Sequence, residues 1–257
     1  MMFLVGFFMC LVVVPTHAQE TLRYSCSAQI VEAFGAEGLD EFTRETGIKV
    51  DLNVSSSAAA VYRLMNGSSD IAGAARGLRF QYKEFGYVET PFCKDPLAVI
   101  VNKQCPIDNL TENQLRDIFS GSITNWNEVS GSDKPIIIIV PEKNTAAHRN
   151  FVRVAMEGKE IWHDLMSHKS TMVIKAVEHI PWSLSFISRG AAKGRGDLKI
   201  IKINGHSPKD KDYPYHQIFY HVTEGKPIDV VKKFIDFTQS QKGRAIIEKK
   251  GMTPILR

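Results

Sequence analysis

The chain has 257 residues, of which 44% are hydrophobic and 23% charged, and its 32 basic and 28 acidic residues give a formal net charge of +4. This composition excludes a disordered or low-complexity chain and describes a globular protein of one large domain or two domains of about 100 to 150 residues each. Because the charges nearly balance, we expect no nucleic-acid partner.

The first 18 residues, MMFLVGFFMCLVVVPTHA, contain no Lys, Arg, Asp or Glu. Their apolar stretch is shorter than the roughly 20 residues that span a bilayer, and Pro15 and small residues follow it before Gln19. This pattern predicts a secretion signal over residues 1–18 and a periplasmic or secreted protein. An uncleaved membrane anchor is the alternative.

Three cysteines follow this segment, Cys26, Cys93 and Cys105, in a compartment where disulfides can persist. Cys93 and Cys105 are the best candidates for a pair. The strand predicted between them would span about 20 Å, however, whereas bridged Cα atoms lie within about 7 Å. The disulfide therefore stays open, and Cys26 is expected to be a free thiol or a small buried side chain.

Strands and helices alternate along the rest of the chain, which predicts an α/β architecture with mostly parallel sheets flanked by helices. The predicted strands cover residues 21–25, 48–54, 70–73, 97–102, 136–140, 184–188, 198–203 and 217–222. The predicted helices cover residues 28–45, 58–66, 112–119, 146–157, 172–179 and 229–241. Domain boundaries fit best near Pro96 and the polar loop 204–213, so we expect one lobe from 19–96 plus 218–257 and a second from 97–217.

The common catalytic signatures are absent from the sequence: it contains no GxSxG, HExxH, GxxxxGK[ST] or GxGxxG. His163 and His168, like His216 and His221, are five residues apart, a spacing that suits a metal site neither on a helix nor on a strand. We therefore expect no metal, no cofactor and no catalytic residue, with structural or solvated histidines.

Three hydroxyl-rich segments lie between a predicted strand and the helix that follows it: Ser25-Cys26-Ser27, Ser55-Ser56-Ser57 and Asn144-Thr145. In a parallel sheet these junctions share the carboxyl edge, where helix N-termini favour anions. Their convergence would form an anion site. Ser, Thr and Asn are also the ordinary N-cap residues, so capping alone is the alternative.

The stretch LTENQLRDIFSGSITNWNEVSG, Leu110 to Gly131, resembles a pattern of the periplasmic phosphate-binding proteins of ABC transporters, which have the two-lobed type II solute-binding fold. The C-terminal stretch IDVVKKFIDFTQSQKGRAIIEKKGMTPI is similar to that family's closing helices. NGSSDIAGAARGL and DYPYHQIFYHV are weaker matches. The resemblance covers nearly the whole chain after residue 18 and implies the family's fold.

The resemblance also implies a set of ligand-binding residues: Ser27, Ser57, Arg76, Thr145, His148 and Arg149. Several hydroxyl positions of the family pattern are lost, because Ala74 and Ala75 replace two serines and His148 replaces an arginine. A neutral His148 would become charged near its ordinary pKa of about 6.5 and would strengthen anion binding in acid.

We therefore expect a monomeric binding protein, not an enzyme, that captures a small oxyanion between two lobes and delivers it to the membrane permease of an ABC transporter. Phosphate is the first candidate ligand. A binding-fold protein that acts as a sensor or interaction partner without transport is the alternative. An extracytoplasmic hydrolase is the third possibility, although no nucleophile and base can be assembled from local motifs.

Overall fold

The computed structural model describes residues 19–167, 170–192 and 195–255. The predicted secretion signal 1–18 and His168 lie outside this part of the chain. Twelve strands are present within it: β1 Thr21–Ser27, β2 Lys49–Ser55, β3 Ile71–Ala74, β4 Tyr87–Asn102, β5 Asn109–Leu110, β6 Ile137–Pro141, β7 Leu165–Ser167, β8 Ser183–Ser188, β9 Leu198–Ile200, β10 Lys202–Ile203, β11 His216–Glu224 and β12 Thr253–Pro254.

Eleven helices accompany these strands in the described ranges: α1 Ala28–Ala33, α2 Gly35–Thr46, α3 Ser57–Met65, α4 Phe80–Glu84, α5 Glu112–Ser120, α6 Asn127–Ser130, α7 Ala146–Val154, α8 Ser170–His179, α9 Arg189–Ala192, α10 Asp229–Gln239 and α11 Gln241–Lys249. The mixed α/β fold predicted from the alternating pattern is confirmed. None of the described helices is both long enough and apolar enough to cross a membrane.

One ten-stranded sheet has the order β2-β1-β3-β11-β4-β8-β6-β7, with β9 and β12 also paired to β4. The strands β2, β1 and β3 run parallel at one end, and β8, β6 and β7 run parallel at the other. Between these groups, β11 and β4 pair antiparallel over nine residue pairs. Parallel strands whose connections are helices place their carboxyl ends at one edge, which is where ligands bind in such sheets.

The hydrophobic core is divided into two main clusters along this sheet. The first is built around Phe42, Phe92 and Phe234, and the second around Trp126 and Phe186. Strand β4 belongs to both, because its first half supplies Phe92 to the first cluster while its second half supplies Leu97, Val99 and Val101 to the second. Strand β4 therefore runs through both clusters.

Two predicted elements are interrupted in the structure. The helix expected over 28–45 is broken at Phe34, because Gly35, the first residue of α2, has a φ of +61° that interrupts the right-handed helix. The strand expected over 198–203 is divided because β9 pairs with β4 while β10 pairs with β5. A change of pairing partner cannot be seen in the apolar pattern of a single segment.

The three cysteines of the described ranges are all free and buried. The disulfide that the sequence left open between Cys93 and Cys105 is not formed. Cys93 lies within the continuous strand β4, so about 30 Å of extended chain separates it from Asn102 at the strand's end. Cys93 and Cys26 pack in the first cluster and Cys105 packs in the second, as small apolar side chains.

Candidate anion-binding site

A cavity of about 470 Å³ opens at the carboxyl edge of the first group of parallel strands and extends to helix α7. Both ends of the sheet contribute to its lining, together with alternate residues of β11. The described lining residues are Ser57, Arg76, Gly77, Leu78, Ala146, Arg149, Asn150, Arg153, His216, Ile218 and Tyr220. We refer to this cavity as the cleft.

The first side of the cleft follows from the register of β1, β2 and β3. Cys26 pairs with Gly73 and Ser27 pairs with Ser55, so all three strands end at one level. Ser56 caps α3 by accepting a hydrogen bond from the backbone N–H of Ala59, and Ser57 therefore begins the helix at this edge. The Ser57 Oγ accepts a hydrogen bond of 3.1 Å from the backbone N–H of Ala75.

The second side of the cleft is the first two turns of α7. Thr145 caps this helix: its Oγ1 accepts from the backbone N–H of His148 at 3.2 Å and donates to the carbonyl of Glu142 at 2.7 Å. Arg149 and Arg153 are four residues apart, which places both side chains on one face of the helix. That face is the one that lines the cleft.

The cleft carries three guanidinium groups, from Arg76, Arg149 and Arg153, and none of its described lining residues carries a carboxylate. Partial burial, together with repulsion from Arg76, lowers the pKa of Arg149. The nearby carboxylate of Glu89 is already engaged, because it accepts from the N–H of Leu78 and pairs with Lys83. The arrangement therefore has uncompensated positive charge that an anion would neutralise.

The base of the cleft is strand β11, from which His216, Ile218 and Tyr220 project at every second residue. Burial, and to a smaller extent Lys94, lowers the pKa of His216, which keeps the ring neutral. Burial raises the pKa of Tyr220, so its phenol stays protonated. The strand thus supplies neutral polar groups beneath the arginines.

Three of the six sequence-predicted residues, Ser57, Arg76 and Arg149, come together in the cleft. Ser27, which precedes α1, is only 5% exposed, and its Oγ has no hydrogen-bond partner among the described residues. Thr145 lies at the start of α7, next to the lining residue Ala146, with its hydroxyl engaged in capping.

His148 lies on the opposite side of α7 from the cleft. It is buried, its Nδ1 is 2.8 Å from the carbonyl oxygen of Pro141, and it lines another cavity together with Lys143 and Arg149. Burial lowers the pKa of His148, so the charging expected near 6.5 is displaced to lower pH. Environment, not residue type, sets this difference.

Arg153, Tyr220 and His216 also line the cleft, although the sequence motifs do not predict them as site residues. The spacing of four between Arg149 and Arg153 was a usable signal, because it places the two cations on one helix face. His216 was expected to be a structural or solvated histidine. Its position, like that of Tyr220, depends on β11 lying between β3 and β4, which no local pattern reports.

A buried polar network lies next to the cleft where β4 and β11 cross between the lobes. Asp95 and Gln217 are directly paired across these strands, and the Gln217 amide donates to the Asp95 carboxyl group. Ser188 donates to the other Asp95 oxygen at 2.8 Å. Asn150 of α7 donates to Gln217 Oε1 at 2.7 Å and to the carbonyl of Ala75 at 3.1 Å. The network therefore links β4 and β11 to Ala75 on the first side of the cleft and to α7 on the second.

A family model described as the PBP superfamily domain matches residues 13–242. The chain belongs to the PBP superfamily. The match confirms the binding-protein fold, two-lobed and of type II, that the sequence motifs predict.

Individual phosphate-binding proteins are similar to this chain in sequence and in structure. The phosphate-binding protein PstS of Borreliella burgdorferi is 29% identical over 223 residues, which cover 80% of each chain. PstS of Bacillus subtilis is 25% identical over 62% of this chain, and the match spans only 55% of that relative's length. A crystal structure from Clostridium perfringens with bound phosphate, assigned as a phosphate ABC transporter substrate-binding protein, has a TM-score of 0.77 and 25% identity, covering 92% of this chain and 100% of that one.

Proposed function

We propose that this protein is an extracytoplasmic solute-binding protein that captures a small oxyanion of the phosphate class in the cleft for import by an ABC transporter. The observation that carries the proposal is the meeting of Arg76 from one side of the cleft with Arg149 and Arg153 from the other, without a carboxylate among the described lining residues. The relatives are phosphate-binding proteins and a phosphate ABC transporter component, which favours phosphate as the ligand.

The ligand acts as a bridge between the lobes in this proposal. Ser57 and Arg76 belong to the proposed lobe 19–96 plus 218–257, and Arg149 and Arg153 belong to the proposed lobe 97–217. Repulsion between Arg76 and Arg149 opposes closure of the empty cleft. An anion bound between the two guanidinium groups replaces their repulsion by attraction to the ligand. Binding is therefore coupled to closure of the lobes about β4 and β11.

The remaining parts of the proposal follow from the same role. The protein is exported through its N-terminal signal, works as a monomer and binds its ligand without chemical conversion. Its protein partner is a membrane permease. The proposed ligand contacts among the six predicted residues are Ser57, Arg76 and Arg149, whereas Ser27, Thr145 and His148 lie outside the described lining of the cleft.

The experiment that tests the proposal is isothermal titration of the mature chain, residues 19–257, with phosphate, sulfate, molybdate and arsenate. We expect saturable binding of phosphate and a rise in melting temperature with phosphate concentration. Arg149→Ala should weaken binding by about 10-fold to 100-fold, since a hydrogen bond to a charged group contributes about 1.5 to 3 kcal/mol.

Lys159→Ala is the matched control, because Lys159 is an exposed cation outside the cleft lining. It should leave phosphate affinity within twofold of the parent chain. If all four anions give flat titrations with a folded protein, the proposed function is wrong. Equal losses in both variants would instead indicate a nonspecific charge effect.

A further inference from the structure

A second cavity of about 280 Å³ adjoins the cleft and shares four of its described lining residues, Ser57, Arg76, Gly77 and Leu78. We call it the side cavity. Arg76 therefore stands where the two cavities meet. A ligand whose charged group is held by the arginines of the cleft can extend past Arg76 into this space.

Apart from Ser57, Arg76 and Arg79, the side cavity is mainly apolar and aromatic. Val61, Tyr62 and Met65 project from α3, and Leu78 and Tyr82 face them from the segment after β3. Tyr62 is 65% exposed and Met65 is 38% exposed, so a large apolar surface is left uncovered beside a cationic site. Pockets for organic ligands combine such a surface with a few well-placed polar groups.

The side cavity does not depend on movement of the lobes. All of its described lining residues fall between Ser57 and Tyr82, within a single stretch of chain that runs from α3 through β3 to α4. Closure of α7 over the cleft would reduce the cleft volume. It would leave the apolar wall formed by Tyr62 and Tyr82 in place.

The size of the cleft points beyond a free inorganic anion. Inorganic phosphate has five non-hydrogen atoms and occupies about the space of two or three waters, on the order of 60 to 90 Å³. The cleft alone provides about 470 Å³. A phosphate monoester keeps three charged oxygens for three guanidinium groups, with a charge of about −1.5 to −2 at pH 7, and directs its fourth oxygen to an organic group.

We infer that the ligand of this protein is an organic phosphate monoester, with its phosphoryl group among Arg76, Arg149 and Arg153 and an apolar or aromatic group against Tyr62 and Tyr82. This inference rests on the proposed function, because it extends the same anion site. It assigns the side cavity as the region that determines specificity. The recognition consists of charge neutralisation in the cleft and ring stacking in the side cavity.

The test compares phenyl phosphate, methyl phosphate and inorganic phosphate by isothermal titration of the mature chain. Phenyl phosphate should bind at least tenfold more tightly than inorganic phosphate, and methyl phosphate should lie between them. Tyr62→Ala should weaken phenyl phosphate binding about tenfold and leave inorganic phosphate within twofold. Phe85→Ala is the matched control, because Phe85 is an aromatic residue, 72% exposed, outside both cavities.

The outcomes separate this inference from the proposed function. If inorganic phosphate binds as tightly as phenyl phosphate, or Tyr62→Ala leaves both affinities unchanged, the inference is wrong while the oxyanion-binding function stands. If none of the three compounds binds to the folded protein, the proposed function itself fails. A loss of phenyl phosphate affinity in Phe85→Ala equal to that in Tyr62→Ala would also overturn the assignment of the side cavity.

Discussion

Helix α7 contributes to two neighbouring polar regions whose groups are satisfied in opposite ways. Arg149 and Arg153 face the cleft, where no described lining residue offers a carboxylate. Asn150, adjacent to Arg149 in sequence, is 4% exposed and donates to Gln217 and to the carbonyl of Ala75. A buried polar group must find its partners within the fold. A solvated cation has no such requirement, so the cleft can leave its charges for a ligand.

The double variant Arg149→Ala with Arg153→Ala tests this comparison with the largest expected effect. Removing two charge-assisted contacts of about 1.5 to 3 kcal/mol each should weaken phosphate binding by roughly a thousandfold or more. The free energy of unfolding without ligand should change by less than about 1.5 kcal/mol, because the double variant loses one hydrogen bond, from Arg153 to Asn150 Oδ1 at 3.3 Å, and also removes the repulsion between Arg149 and Arg76. Titration calorimetry and urea denaturation of the same protein measure both quantities.

Lys159→Ala again serves as the control for loss of a cation on the same lobe. A large loss of stability in the double variant would show that the two arginines hold the fold together. The contrast between the cleft and the network would then be false. Retained stability with lost binding would establish it.

The pH dependence of the free energy of unfolding tests the buried polar network around Asp95. Burial raises the pKa of Asp95 to about 7. The hydrogen bonds from Gln217 and Ser188 lower this pKa by a smaller amount, and of the charged neighbours Glu32 raises it and Arg189 lowers it. The native state therefore keeps a proton that the unfolded chain releases above its ordinary pKa of about 4. This contribution to stability is complete below pH 4 and is lost as the pH rises toward 7 and through it.

Asp95→Asn should remove this slope. At about 1.36 kcal/mol for each pKa unit, the parent chain should lose up to about 4 kcal/mol more stability than the variant between pH 4 and pH 8. Urea denaturation of both proteins across that range measures the difference. Asp212→Asn, at an exposed aspartate, should follow the parent curve. Parallel curves for Asp95→Asn and the parent chain would show that Asp95 is charged in the native state.

The sequence predicts a site residue where the signal for it lies within a few consecutive residues, and not where it depends on contacts between distant segments. Ser57, Arg76 and Arg149 follow from strand-to-helix junctions and family motifs, and each of those signals occupies a few consecutive residues. The network around Asp95 was not accessible in this way, because Gln217 is 122 residues from Asp95 and 67 from Asn150. Its partners are set by the antiparallel register of β4 and β11, which forms only in the complete sheet.

Thr145 shows the limit of the local signal most directly, and its variant has the smallest expected effect. A threonine at a helix start is compatible both with a ligand contact and with a cap, and in the structure its Oγ1 accepts the cap bond from His148 and donates to the carbonyl of Glu142. Thr145→Ala should lower the free energy of unfolding by about 1 kcal/mol and leave phosphate affinity within twofold. Thr145→Ser, which keeps the hydroxyl, should restore most of the stability. A tenfold loss of phosphate affinity in Thr145→Ala that Thr145→Ser restores would place this hydroxyl on the ligand. The Thr145 hydroxyl would then belong with the ligand-binding arginines of α7 and not with its internally hydrogen-bonded groups.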